Sequence, residues 1–175
     1  MPVVVSIGGI GIELHGIQPN EIPADIAPWI SPQQSPEARC ELQTRPLRLS
    51  ATSRPVYDSL LTWRVEELDR GVRILLSVGK TRSRPYHMLE LSDDLTSGTA
   101  VLDTSAIDEE PRRFALRQPI HELWTSFLLM RGRGLLVHGL GVLIDGKVHI
   151  FAGKSGAGKS TLGNVFVSSG EGKIL

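Results

Sequence analysis

The chain has 175 residues, the size of one ordinary domain or two small ones, and its 19 basic residues balance 19 acidic ones. This neutral charge argues against a nonspecific nucleic-acid binder and a polybasic membrane-surface protein, both of which need a positive field. Hydrophobic residues make up 41% of the chain, and the single cysteine, Cys40, excludes an internal disulfide and any multi-cysteine metal site. No apolar run approaches the roughly 20 residues of a membrane span. We therefore expect a cytoplasmic globular protein with neither nucleic acid nor a membrane as a partner.

The N-terminal part of the chain has the pattern of β-structure. Alternation of Ile10, Ile12 and Leu14 with small or polar residues predicts one strand over the first fifteen residues. Seven of the eleven prolines lie within residues 18–55, which predicts an irregular stretch without long regular elements. Later apolar runs, separated by glycine, aspartate and serine, predict antiparallel strands at residues 72–78, 86–91 and 99–102. Residues 1–112 are predicted to form a small β-rich unit.

The pattern changes at Pro119, where a helix is predicted. Pro119 suits the first turn of a helix and Gly132 suits its end. Between them, apolar residues recur at the spacing of one helix face, at Ile120, Leu123, Trp124, Phe127 and Leu128. We interpret this face as part of a hydrophobic core.

Short strands are predicted next along the chain. Residues 135–138 and 141–144 form apolar runs. Asp145-Gly146 is a strong signal for a hairpin turn that leads into a strand at residues 148–152. That last strand continues directly into a glycine-rich segment.

Residues 153–160 fit the phosphate-binding pattern G-x-x-x-x-G-K-[ST] completely. Glycines let successive backbone N–H groups turn toward phosphate oxygens, which side chains would block. Lys159 is predicted to reach the β- and γ-phosphates, and the Ser160 hydroxyl is predicted to bind Mg²⁺. A helix predicted over residues 159–167 points the positive end of its dipole at the phosphates.

The end of the sequence leaves the reaction undefined. A turn at residues 168–172 precedes the start of another strand at residues 173–175. Catalysis at such a loop needs a carboxylate for Mg²⁺ on a neighbouring strand, and the upstream pair Asp93-Asp94 is predicted to lie in a turn instead. One parallel crossover does not complete a sheet, so we expect the chain to be a fragment of a longer protein.

Two interpretations of His138 stay open. It follows an apolar run and precedes Gly139, so the end of its predicted strand could lie beside the phosphate loop within one sheet. A buried, hydrogen-bonded structural histidine is the default on sequence alone. The other histidines show no spacing typical of metal ligands.

Residues 132–175 resemble the HPr kinase/phosphorylase-like family of bacterial serine kinases. The likeness consists of Gly134-Leu135-Leu136-Val137-His138-Gly139, a strand hairpin, Gly153-Lys154-Ser155-Gly156-Ala157-Gly158-Lys159-Ser160, and a helix ending near Gly170. Thr161 stands where the enzymes that phosphorylate HPr carry an acidic residue, and it fits the broader set of HPr-kinase-related proteins. Phosphoenolpyruvate carboxykinases that use ATP share this core.

The resemblance implies an α/β fold in which an incomplete P-loop kinase core over residues 113–175 follows the β-rich unit. It implies a protein serine kinase that uses ATP and Mg²⁺ and takes a serine of a partner protein as substrate; a homo-oligomer is left open. Mg²⁺ would bind Ser160, and His138 would help hold the transferring group. The remaining nucleotide contacts would come from Gly153, Lys154, Ser155, Gly156, Ala157, Gly158, Lys159 and Thr161. An Asp-Asp pair, the family's base and magnesium site, would follow Leu175.

Two other functions remain open. The first is an ATPase, either the ATPase subunit of an ABC transporter, which the loop at residues 155–162 also suits, or another P-loop ATPase. ABC subunits place this loop much nearer the start of the domain. The second is a nucleotide-binding module without enzymatic activity.

Overall fold

The computed structural model describes residues 2–24, 26–49, 52–59, 62–77, 84–106, 120 and 122–175. The fold is mixed α/β, as predicted, and the chain divides into two compact units, Met1–Gly134 and Leu135–Leu175. The predicted domain boundary after residue 112 lies outside the described residues and stays a prediction. Among the described residues, no helix is long and apolar enough to cross a membrane.

The first unit is built on an eight-stranded sheet with the order β1-β2-β3-β8-β7-β6-β5-β4. β3 runs parallel to β2 and to β8, and the other neighbouring strands are antiparallel. The strands are β1 (Val3–Ile7), β2 (Ile10–His15), β3 (Ala38–Thr44), β4 (Arg54–Asp58), β5 (Trp63–Glu67), β6 (Val72–Ser77), β7 (Pro85–Leu91) and β8 (Ser97–Leu102). The predicted strands near residues 72–78, 86–91 and 99–102 are thus confirmed.

The prediction of one strand over the first fifteen residues is wrong. Gly8 and Gly9 both have positive φ, 58° and 79°, and they form a two-residue turn between β1 and β2. Such a turn requires the left-handed backbone that glycine adopts without steric cost. The register then pairs Ile7 with Ile10 and makes a tight antiparallel hairpin.

The prediction of an irregular stretch over residues 18–55 is also wrong in part. Short 3₁₀ helices at Pro19–Glu21 and Ala27–Trp29 fit it, but β3 is a strand in the interior of the sheet. No proline lies between Pro36 and Pro46, so the backbone of β3 can donate hydrogen bonds to both neighbours. Ala38 and Cys40 are buried against the core.

One face of this sheet packs against the predicted helix. The α-helical part is α1 (Thr125–Leu129), and residues 122–124 precede it as a π-helical turn. Ile120, Trp124 and Leu128 are buried, and the other two residues of the predicted face, Leu123 and Phe127, are partly buried against the same core. The core assignment is therefore confirmed. Pro119, the predicted first turn, lies outside the described residues.

The second unit contains a three-stranded sheet and one long helix. Its elements are β9 (Gly139–Ile144), β10 (Lys147–Ala152), α2 (Lys159–Ser169) and β11 (Lys173–Ile174). The order is β10-β9-β11, and β9 is antiparallel to both neighbours. β10 and β11 are therefore parallel and are connected through α2, which is the crossover expected from the sequence, with β9 lying between them.

Most local predictions for this unit are confirmed. Asp145 and Gly146 form the hairpin turn with φ of 47° and 73°, and β10, α2 and β11 lie where the sequence places them. The strand predicted at residues 135–138 is wrong. Leu135 is 72% exposed and Leu136 is 53% exposed, so this apolar run lies outside the sheet, which begins at Gly139.

Gly71, in the turn between β5 and β6, provides a test of the first unit. Its φ is 92°, and an added Cβ would lie 1.9 Å from the Leu91 carbonyl oxygen. Gly71→Ala therefore combines backbone strain with a clash that backbone atoms must relieve, and we expect the free energy of unfolding to fall by about 4 kcal/mol. The measurement is unfolding in urea, monitored by tryptophan fluorescence.

Gly132→Ala is the matched control, because Gly132 has a φ of 85° and an added Cβ there meets nothing within 4 Å. Gly132→Ala should lower the free energy of unfolding by only about 1–2 kcal/mol, the cost of placing alanine in the left-handed backbone conformation. Equal losses in the two variants would contradict the close packing of Gly71 against β7.

Candidate functional site

The candidate site is the glycine-rich loop (residues 153–158), which connects β10 to α2. β10 pairs with β9 along its whole length, and its last residue, Ala152, lies opposite Gly139. This pairing fixes the point at which the loop leaves the sheet. The sequence-predicted residues from Gly153 to Thr161 thus form one strand–loop–helix segment.

Two glycines of the loop adopt conformations that other residues rarely reach. Gly156 and Gly158 have φ of 80° and 82°, and an added Cβ at either position would meet nothing within 4 Å. The requirement for glycine is therefore conformational and not one of space. Residues 154–157 of the loop form a turn, in which the Ala157 N–H donates to the Lys154 carbonyl oxygen at 3.2 Å.

Packing of α2 on the sheet fixes the other end of the loop. Phe166 of α2 lies against Phe151 of β10, with the ring centroids 5.9 Å apart. Gly163 is buried, and a Cβ added there would lie 3.2 Å from Ile174 Cδ1 and 3.3 Å from Leu140 Cδ1. No sequence pattern indicates that this glycine permits the close approach of α2 to β9 and β11.

The first turn of α2 faces the loop without a side-chain cap. Its N-cap is Gly158, which has no side chain to accept a hydrogen bond from the helix. The first N–H groups of a helix lack intrahelical partners and carry the positive end of the helix dipole. Ser160 and Thr161 are exposed in this same turn. The arrangement offers backbone donors and hydroxyl groups to an anion.

Lys159 lies across the loop. Its Nζ donates to the Gly153 carbonyl oxygen at 2.7 Å and to the Lys154 carbonyl oxygen at 3.2 Å. A side chain from the start of α2 thus brings its ammonium group to the residues that follow β10.

The charges of the second unit are unevenly placed. Residues 135–175 contain four lysines and only two acidic residues, Asp145 and Glu171. Asp145 lies in the turn between β9 and β10, and Glu171 shortly precedes Lys173, which pairs with Leu143 near that same turn. Lys154 and Lys159 lie at the other end of β10. The loop end of this unit is therefore positive, which favours an anionic ligand.

The pairing of β9 with β10 places His138 at the end of the sheet where the loop starts. It immediately precedes Gly139, whose partner Ala152 immediately precedes Gly153. His138 is exposed, so the interpretation of this residue as a buried structural histidine is wrong. The prediction that it ends a strand is also wrong, because β9 starts one residue later.

The upstream aspartates are structural, as predicted. Asp94 accepts hydrogen bonds from the Ser92 and Thr96 hydroxyls and the Thr96 N–H, which together lower the pKa of its carboxyl group to about 2. Asp93 accepts from the Gly71 N–H at 2.6 Å. Asp94 closes the turn between β7 and β8, and Asp93 ties that turn to the one between β5 and β6. In the described part of the chain, no group of three or more His, Cys, Asp or Glu could hold a metal ion.

Comparisons of the chain with protein-family models, with curated proteins and with solved structures found no match.

Gly163→Leu tests the packing that positions the loop. The larger side chain must displace Ile174 or Leu140, and overpacking of this kind costs about 1–3 kcal/mol. We expect faster amide hydrogen exchange in β9, β10 and α2, measured by mass spectrometry. Asn164→Leu is the control, since Asn164 is the next helix residue and is exposed. Equal exchange in the two variants would contradict the close approach of α2 to the sheet.

Proposed function

We propose that the glycine-rich loop and the first turn of α2 bind the phosphates of ATP, and that the protein is an HPr-kinase-related protein serine kinase. The observation that carries the first part is the loop geometry: two left-handed glycines, an uncapped helix N-terminus and Lys159 across the loop. These features supply donors and positive charge within one short segment. The second part rests on the family resemblance, and the position of His138 supports it.

Each residue of the site has a part in phosphate binding. The backbone N–H groups from Lys154 to Lys159 would surround the phosphate oxygens. Lys159 would exchange its contacts with the Gly153 and Lys154 carbonyl oxygens for contacts with the β- and γ-phosphates. This exchange replaces two neutral acceptors with charged ones, which form the stronger hydrogen bonds. Thr161, one residue further along the helix, is exposed beside the same turn.

Mg²⁺ is the metal that this site would take, with the Ser160 hydroxyl as its ligand. The hydroxyl is an oxygen ligand of the kind that Mg²⁺ prefers, and Mg²⁺ keeps several waters and phosphate oxygens when it is bound in such sites. When bound, the ion would neutralise charge that develops on the phosphates. Ser160 is exposed at the start of α2, so its hydroxyl is accessible to the ion.

Phosphoryl transfer to a protein serine depends on what holds the transferring group. His138 lies where β9 begins, next to the point at which β10 enters the loop. A neutral imidazole can donate one hydrogen bond to a phosphate oxygen, and a protonated imidazole adds positive charge. The exposure of His138 is what such a role needs, since the group must reach the substrate.

Lys159→Ala tests nucleotide binding. Loss of the ammonium group should abolish Mg-ATP binding measured by calorimetry. The control is Lys173→Ala, which removes the same charge from the same unit at the opposite end of the sheet. Unchanged affinity in a folded Lys159→Ala variant would refute the proposed site.

Label transfer from γ-labelled ATP tests the reaction. When the protein is incubated with γ-labelled ATP and a lysate of the cells that produce it, we expect the label on a protein serine, identified by acid hydrolysis and mass spectrometry. The label should be absent with the Lys159→Ala variant. Labelled free phosphate without labelled protein would indicate an ATPase and contradict the kinase proposal.

His138→Gln tests the role of the histidine. A preorganised donor to the transferring group contributes on the order of 2–4 kcal/mol, so turnover per folded molecule should fall by roughly 30- to 1,000-fold. His149→Gln is the control, because His149 is exposed in β10 and away from the loop. A fully active His138→Gln enzyme would exclude His138 from the site, whatever its melting temperature.

A further inference from the structure

We draw no further inference here: the strongest candidate, the apolar face of the second sheet that carries Leu143, Val148, Ile150 and Leu175 beside the edge of β10, supports none because nothing in the described structure shows what covers it.

Discussion

The antiparallel pairing of β9 with β10 is the constraint on which the candidate site depends. It places Gly139 opposite Ala152, and so it brings the residue before β9 and the residue after β10 to the same end of the sheet. The packing of Phe166 against Phe151 and the small size of Gly163 then hold α2 close to this sheet. Because both ends of the glycine-rich loop are fixed by regular elements, its backbone donors are held in place before any ligand binds.

Electrostatics and backbone geometry support the same use of the loop. The uncapped N-terminus of α2 attracts anions, and Lys154 and Lys159 add positive charge at the end of the unit that lacks its acidic residues. The hydrogen bonds from Lys159 to the Gly153 and Lys154 carbonyl oxygens keep its ammonium group close to the backbone N–H groups of the loop. An isolated surface lysine beside a flexible glycine turn would have none of these fixed partners.

The sequence predicted the elements whose signals are local. The hairpin turn at Asp145-Gly146, the strand before the loop and the helix after it follow from turn chemistry, alternation and a spacing of glycines. β3 was missed because its position depends on parallel pairing with β2 and β8, which no local pattern reveals. The apolar run at residues 135–138 was predicted as a strand because hydrophobicity alone does not tell whether a partner strand is present. The expected burial of His138 came from the same error, since a residue at the end of an interior strand would be buried, whereas His138 is exposed.

Backbone amide chemical shifts, measured by NMR during a titration of the protein with Mg²⁺ and a nonhydrolysable ATP analogue, test phosphate binding at the loop most directly. If the loop binds phosphates, the largest shifts fall on residues 153–161, with a smaller shift at His138, and adenosine without phosphates leaves these signals unchanged. Shifts confined to the other parts of the chain, or equal shifts with adenosine alone, would contradict phosphate binding at the glycine-rich loop.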